Sequence, residues 1–351
     1  MKSSPYTIQY GIGMLMSFES LAYDTLKFGE GSTHVELSHS EKKQETELHA
    51  IFQHNKKLAS RATAHLDTFP LFKKVATEPT DIYQFQIKKS TDKMSVHLLD
   101  IRNTNPARLR IVIDVEAGAR VTIVERSTST AYLGYELTVT LGEGAVVDFI
   151  SAMNIPSQRT ILRNAYVGKD AHIIWHEAVI EGALVQSHTR TYLYESGGRA
   201  EIKDLFALSG ETVLDMYHAM YHLASHTKSD MLTKGVLQNK GRALYQGLIH
   251  IDERAVGCVG YQKQDTLVLS NNAEVNAVPN LEIENSDVKC SHGVTTAHID
   301  REKLFYMQSR GIDEKSATDL FVQGHVSPCI DAITDEHMRQ DILERIVHHL
   351  I

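Results

Sequence analysis

From about Asp81 the apolar residues alternate in twos, and the pattern holds to about residue 298. Ile82, Gln84 and Gln86 alternate with Tyr83, Phe85 and Ile87, and Leu109, Ile111 and Ile113 alternate with Arg108, Arg110, Val112 and Asp114. A period of two marks extended chain with one face turned inward, so these segments are predicted strands. A turn recurs among them: Gly118-Ala119-Arg120-Val121, Gly144-Ala145-Val146-Val147, Asp170-Ala171-His172-Ile173, Arg199-Ala200-Glu201-Ile202, Arg242-Ala243-Leu244-Tyr245 and Asn272-Ala273-Glu274-Val275. The alanines are 26, 26, 29, 43 and 30 residues apart. Self-similarity at that period predicts stacked units, and a unit of short strands with no helix between them is one coil of a parallel β-helix. A small residue at a repeated corner is what close stacking of backbone on backbone requires. The 43-residue interval then holds one and a half coils or an insertion. An antiparallel β-sandwich or barrel also has strands recurring about every 8 to 12 residues, but the constancy of the corner favours the β-helix.

The flanks read differently. Ser40 precedes a charged segment in which Leu48, Ile51, Phe52, Leu58, Ala59 and Ala62 fall near helical spacing. That predicts a helix over about 41–66, ending before Phe69-Pro70 because the residue ahead of proline is pushed toward extended backbone. Residues 1–40 are punctuated by Gly11, Gly13, Gly29 and Gly31; Met14, Leu15, Met16 and Phe18 fit a short helix or a place under a sheet edge. At the other end, Leu304, Tyr306, Met307 and Ile312 recur at helical spacing from Asp300 onward. Thr334 is placed to cap a further helix with Asp335 and Glu336 in its first turn. Met338, Ile342, Ile346 and Leu350 then form an i+4 stripe, widened by Leu343 and Val347. Such a face must be buried, against Leu304, Leu320 and Phe321 or against a partner. The predicted organisation is a mixed or helical segment over 1–80, a parallel β-helix core over 81–298 and a helical segment over 299–351.

Composition narrows the function. The chain has 351 residues, 42% hydrophobic, enough for a full core. A formal charge of -8, with no basic run, argues against a general nucleic-acid binder. No apolar run approaches the roughly 18 residues of a membrane helix, and Met1-Lys2-Ser3-Ser4-Pro5 is not followed by the apolar block of a signal peptide, so a cytoplasmic protein is expected. The three cysteines, Cys258, Cys290 and Cys329, are too few and too irregular for a disulfide framework.

Candidate chemistry is densest at Cys290-Ser291-His292-Gly293, where a soft thiol and an imidazole at i and i+2 share a face of an extended chain. His218, His222 and His226 at i, i+4 and i+8 share a face on either a helix or a strand; they read as a hydrogen-bonded ladder or as part of a metal site. Cys258, after the Asp252-Glu253-Arg254 turn, fits the β-helix interior. Cys329, within Val326-Ser327-Pro328-Cys329-Ile330, reads as packing.

Several separate motifs, in order and at matching intervals, resemble the core of the SufB/SufD family of iron-sulfur cluster assembly proteins, closer to SufD. They are Lys234-Gly235-Val236-Leu237, Gly241-Arg242-Ala243-Leu244-Tyr245-Gln246-Gly247-Leu248-Ile249, Leu267-Val268-Leu269-Ser270 with Ala273-Glu274-Val275, Pro279-Asn280-Leu281-Glu282-Ile283, Asp287-Val288-Lys289-Cys290-Ser291-His292-Gly293 and Leu304-Phe305-Tyr306-Met307-Gln308-Ser309-Arg310-Gly311-Ile312. The likeness covers about residues 185–335 well, the earlier strands loosely and the amino-terminal segment hardly at all. It implies a right-handed parallel β-helix that dimerises through its strands, and a carboxyl-terminal helical segment that binds a SufC-like ABC ATPase. It also implies a transient iron-sulfur cluster shared with a partner subunit, with none permanently bound. In SufB a cysteine in the turn before the Pro-x-Leu-Glu-Ile-like segment is associated with the cluster; here that turn is Ser270-Asn271-Asn272-Ala273, without a thiol. His292 sits where the SufD interface histidine would be.

The expectation is therefore a non-catalytic scaffold subunit, its ATPase activity residing in a partner, paired with a SufB-like subunit or a second copy of itself. His292, Cys290 and, less directly, Cys258 are the candidate cluster or metal ligands, and Ala317, Leu320 and Phe321 the candidate ATPase contact. A self-pairing subunit combining both scaffold roles is one alternative. A β-helix carbohydrate-active enzyme is another, disfavoured by a single tryptophan, Trp175, and no paired carboxylate motif. A hydrolase built on the histidine row is a third.

Overall fold

The computed structural model describes residues 7–10, 14–17, 33–42, 66, 69–90, 94–129, 131–154, 157–182 and 184–350. β1 (Thr7–Tyr10) and β2 (Met14–Ser17) form an antiparallel pair. Two nine-stranded sheets carry the rest of the strands. One, here the even sheet, runs in space from β3 (Thr33–Leu37) through β6 (Ser95–Asn103), β8 (Arg120–Ser129), β10 (Val146–Asn154), β12 (His172–Glu181), β14 (Arg199–Leu208), β16 (Lys228–Leu237) and β18 (Cys258–Val268) to β20 (Val288–His298). The odd sheet runs from β4 (Glu41–Lys42) through β5 (Asp81–Ile87), β7 (Ala107–Val115), β9 (Leu133–Leu141), β11 (Arg159–Val167), β13 (Leu184–Leu193), β15 (Val213–His222) and β17 (Arg242–Ile251) to β19 (Glu274–Ile283).

From β5 onward the chain visits the two sheets in turn, and these strands pair with one another in parallel throughout. That is a parallel β-solenoid with one strand per sheet per coil, and it excludes the antiparallel sandwich. The inner faces follow the alternation in the sequence. Leu109, Ile111 and Ile113 of β7, and Val121 and Ile123 of β8, are almost fully buried in the continuous core.

The corners explain the recurring alanines. Gly118, Gly144, Asp170, Gly197, His226 and Gly257 all have positive φ and stand immediately before strands of the even sheet. Each donates its backbone N–H to the corner of the following coil, as from Gly118 to Glu143 O (2.8 Å) and from Gly144 to Lys169 O (2.8 Å). A left-handed residue at each corner turns the chain without breaking that column of hydrogen bonds. Ala200 lies on the even sheet and Ala243 on the odd one, so the 43-residue interval is one and a half coils, without an insertion.

Helices cover both outer faces. α1 (Pro70–Thr77) starts at the proline that the sequence suggests as a stop. Phe69 is extended, as a residue before proline should be, but Pro70 occupies the first turn, where its missing N–H costs nothing. Phe69, Leu71, Phe72 and Ala76 pack on Tyr132, Leu162, Leu184 and Leu244 of the odd sheet's outer side. Of the helix expected over 41–66, Glu41–Lys42 form a strand instead, Leu66 is helical, and the remainder lies outside the described residues.

After β20 come α2 (Arg301–Ser309), capped by Asp300, then α3 (Glu314–Ile330) and α4 (Glu336–Leu350). Val322, Val326, Cys329 and Ile330 of α3 and Ile342, Ile346 and Leu350 of α4 pack on Ile150, Ala178, Ile180, Leu205, Ala207 and Val236 of the even sheet. The α4 stripe is thus buried mainly on the sheet; of the residues expected to cover it, Leu320 stands 52% exposed. Thr334 is not the cap: its hydroxyl donates to Asp148 (2.6 Å), while Asp335 accepts from the Met338 N–H (2.9 Å).

Candidate functional site at the open end of the solenoid

β19 and β20 form the last coil, and no described strand covers them. Pro279, within β19, suits an edge, since proline cannot serve a central ladder. Because no described strand stacks beyond, the side chains of β20 that continue the inner face are left half-covered or open. Cys290 pairs in register with Gly260 of β18, and His292 with Gln262. The i, i+2 spacing therefore places thiol and imidazole on the same inward side, as the sequence indicates. Cys290 is half-buried against the core and burial raises its thiol pKa, whereas His292 is exposed. A thiol held neutral becomes a strong ligand only once a metal or base takes its proton.

The other cysteines stand elsewhere. Cys258 is buried in the core, with its Sγ 3.4 Å from Ala224 O and 3.2 Å from Thr227 Oγ1. Cys329 lies between α3 and the even sheet, and burial pushes its thiol up to about 12. Among the ATPase-contact candidates, Ala317 is fully buried and presents no surface, Phe321 is half-buried and Leu320 is exposed. The exposed apolar surface near them consists of Phe305 and Tyr306 on α2, 72% and 58% exposed.

The histidine row divides. His218 and His222 lie on β15 on the inner face, whereas His226 occupies the next corner at φ 60°. His222 makes hydrogen bonds through both ring nitrogens, to Thr227 Oγ1 and Ser229 Oγ at 2.8 Å each. Burial drops its pKa to about 3, so the ring is neutral.

A polar file that sequence reasoning missed runs inside the solenoid. Arg163, 1% exposed, donates to Glu125 (3.1 Å), Ser151 (3.0 Å) and Glu177 (2.7 Å). Tyr135 donates to Glu125 (2.5 Å), and Ser187 to Glu177 (2.6 Å). Asp204 Oδ1 accepts from the Glu177 backbone N–H (2.6 Å), and Asp204 Oδ2 lies 3.0 Å from His218 Nε2. The signal was present: Glu177 continues the inward row Ile173, Trp175, Val179, and Asp204 continues Ile202, Phe206, Leu208.

The geometry defines a parallel β-solenoid, helix-covered on both outer faces, that offers a thiol and an imidazole at one open end. A family model for the SUF system FeS cluster assembly SufBD core domain matches residues 101–325. The SufD iron-sulfur cluster assembly protein of Escherichia coli is 30% identical over 252 residues, covering 70% of this chain and 60% of that protein. SufBD family assembly proteins of Staphylococcus epidermidis and Staphylococcus haemolyticus are 26% and 27% identical, each covering 62% of this chain and 49% of the relative. The chain thus spans about half to three fifths of the length of these relatives. It belongs to the SufBD family of iron-sulfur cluster assembly proteins and is SufD-like. Among the described residues no helix is long and apolar enough to cross a membrane.

Proposed function

We propose that this chain is a non-catalytic scaffold subunit of a cytoplasmic SUF-type assembly complex. It pairs through the last coil with a SufB-like subunit or a second copy of itself, and docks a SufC-like ABC ATPase through Phe305, Tyr306, Leu320 and Phe321. The observation that carries this reading is the uncovered inner face of β20, where Cys290 and His292 stand together at the edge of both sheets. One thiolate and one imidazole are two of the ligands an iron-sulfur cluster accepts, so the remaining ligands come from across the pairing edge and the cluster is transient. Cys258 and Ala317, both buried, take no part.

The test is co-purification with the host's ABC ATPase, followed by anaerobic reconstitution with iron and sulfide. The expected outcome is a ternary complex with cluster absorbance that His292→Ala abolishes while the variant stays folded and ATPase-bound. Absence of ATPase binding together with no cluster in any pairing overturns the reading. Intact assembly in His292→Ala removes the ligand role alone.

A further inference from the structure

Well inside the solenoid, three side chains from three strands converge. Glu177 of β12 and Asp204 of β14 lie on neighbouring strands of the even sheet, and His218 comes from β15 of the odd sheet. One oxygen or nitrogen atom of each lies within 4.8 Å of the other two. All three are buried, at 4%, 1% and 0% exposure.

Each is held from its far side. The Glu177 carboxylate accepts from Ser187 and Arg163, Asp204 Oδ1 accepts from the Glu177 backbone N–H, and His218 Nδ1 lies 3.4 Å from Thr233 Oγ1. The remaining atoms, Asp204 Oδ2 and His218 Nε2, face each other at 3.0 Å as a buried carboxylate–imidazole pair, with no further hydrogen-bond partner among the described residues. An ion bound at about 2.0–2.2 Å would hold neighbouring ligand atoms at about this spacing, in place of the proton the pair otherwise shares.

Charge points the same way. Three buried carboxylates, Glu125, Glu177 and Asp204, are accompanied by two buried guanidiniums, Arg159 and Arg163. The two guanidiniums leave one carboxylate charge for the His218 imidazole or a cation to balance. Buried charge in proteins is paired or coordinates a metal.

We propose that Glu177, Asp204 and His218 bind one divalent transition-metal ion, zinc or ferrous iron, inside the solenoid. One imidazole with two carboxylates suits a borderline cation; magnesium and calcium favour all-oxygen shells and copper(I) favours sulfur. Ser187, Arg163 and Thr233 orient the ligands from outside. Inward-facing Thr233, Gln264 and Gln262 lie on the strands between the site and the open coil, with Gln262 in register with His292. The site uses neither Cys290 nor His292 and does not depend on the scaffold reading.

The full chain, stripped with chelator, is titrated with cobalt(II), a coloured stand-in for both ions, against a chromophoric chelator. One equivalent is expected to bind with visible d–d absorption and no thiolate charge-transfer band, and to raise the unfolding temperature. Asp204→Asn and Glu177→Gln are expected to weaken that equivalent at least ~100-fold. Cys290→Ser and His292→Ala leave it in place. Failure of the wild-type chain to take up an equivalent, or a thiolate band that persists in Cys290→Ser, overturns the proposal. So does unchanged uptake by folded Asp204→Asn and Glu177→Gln, which would place the ion on other histidines.

Discussion

His222 shows how a residue type associated with metals and switches becomes a structural element. Both ring nitrogens are engaged by hydroxyls, and burial lowers its pKa from 6.5 to about 3. Between those values the unfolded chain binds a proton that the folded one does not, so the neutral ring's contribution is full above pH 6.5 and is lost as pH falls toward 3. The slope from one such site is about 1.4 kcal/mol per pH unit. His222→Gln is expected to lose about one proton's worth of that slope between pH 6 and 4, read from urea unfolding at several pH values. A residual slope should persist, because burial also lowers the pKa of His97 and His188. An unchanged slope would mean that His222 is not held neutral. At this scale the sequence was a partial guide. The shared face of Cys290 and His292 follows from a period of two, but the Arg163 cluster is assembled from residues a coil apart, and linear spacing does not display it.

The corner is the element on which the solenoid depends. Gly144 has φ 66° and open space where a Cβ would stand, so Gly144→Ala meets backbone strain alone. A loss of about 1 kcal/mol is expected. Asp170, which takes the same corner one coil later with a side chain, shows that the position tolerates one. Ile346→Ala, which empties a fully buried site between α4 and the even sheet, should cost more, about 2–5 kcal/mol. Chemical denaturation of both variants checks the order, and Gly144→Ala as the more damaging change would contradict it. The repeat was legible because alanine marks the stacked corners, although the series passes from one sheet to the other between Ala200 and Ala243. Less legible were the helix boundaries: Pro70 opens a helix as readily as it ends one, and Asp335 rather than Thr334 caps α4.

For the molecule as a whole, the two ends of the solenoid are unlike. β3 and β4, five and two residues long, run antiparallel to the strands they meet, while β19 and β20 present ten and eleven residues in the direction of the stack. Short reversed strands blunt an edge; long regular ones invite pairing. Val294, on the inner side of β20 and 38% exposed, would lie within such a pairing. Val294→Lys is expected to shift the pure chain, or its complex with a SufB-like partner, toward monomer in light scattering, without lowering the unfolding temperature of the monomer. Unchanged association would place the contact elsewhere.

The difference between the ends also fixes a valence. A stack open at both ends adds copies indefinitely and becomes a fibre, as head-to-tail contacts that do not close always do. Among the described strands one end is blunted, which would leave a single growing tip, and two such tips that meet would consume each other. Under the proposed pairing through β19 and β20, association would terminate at a pair, and abundance inside a cell would not carry it toward polymer.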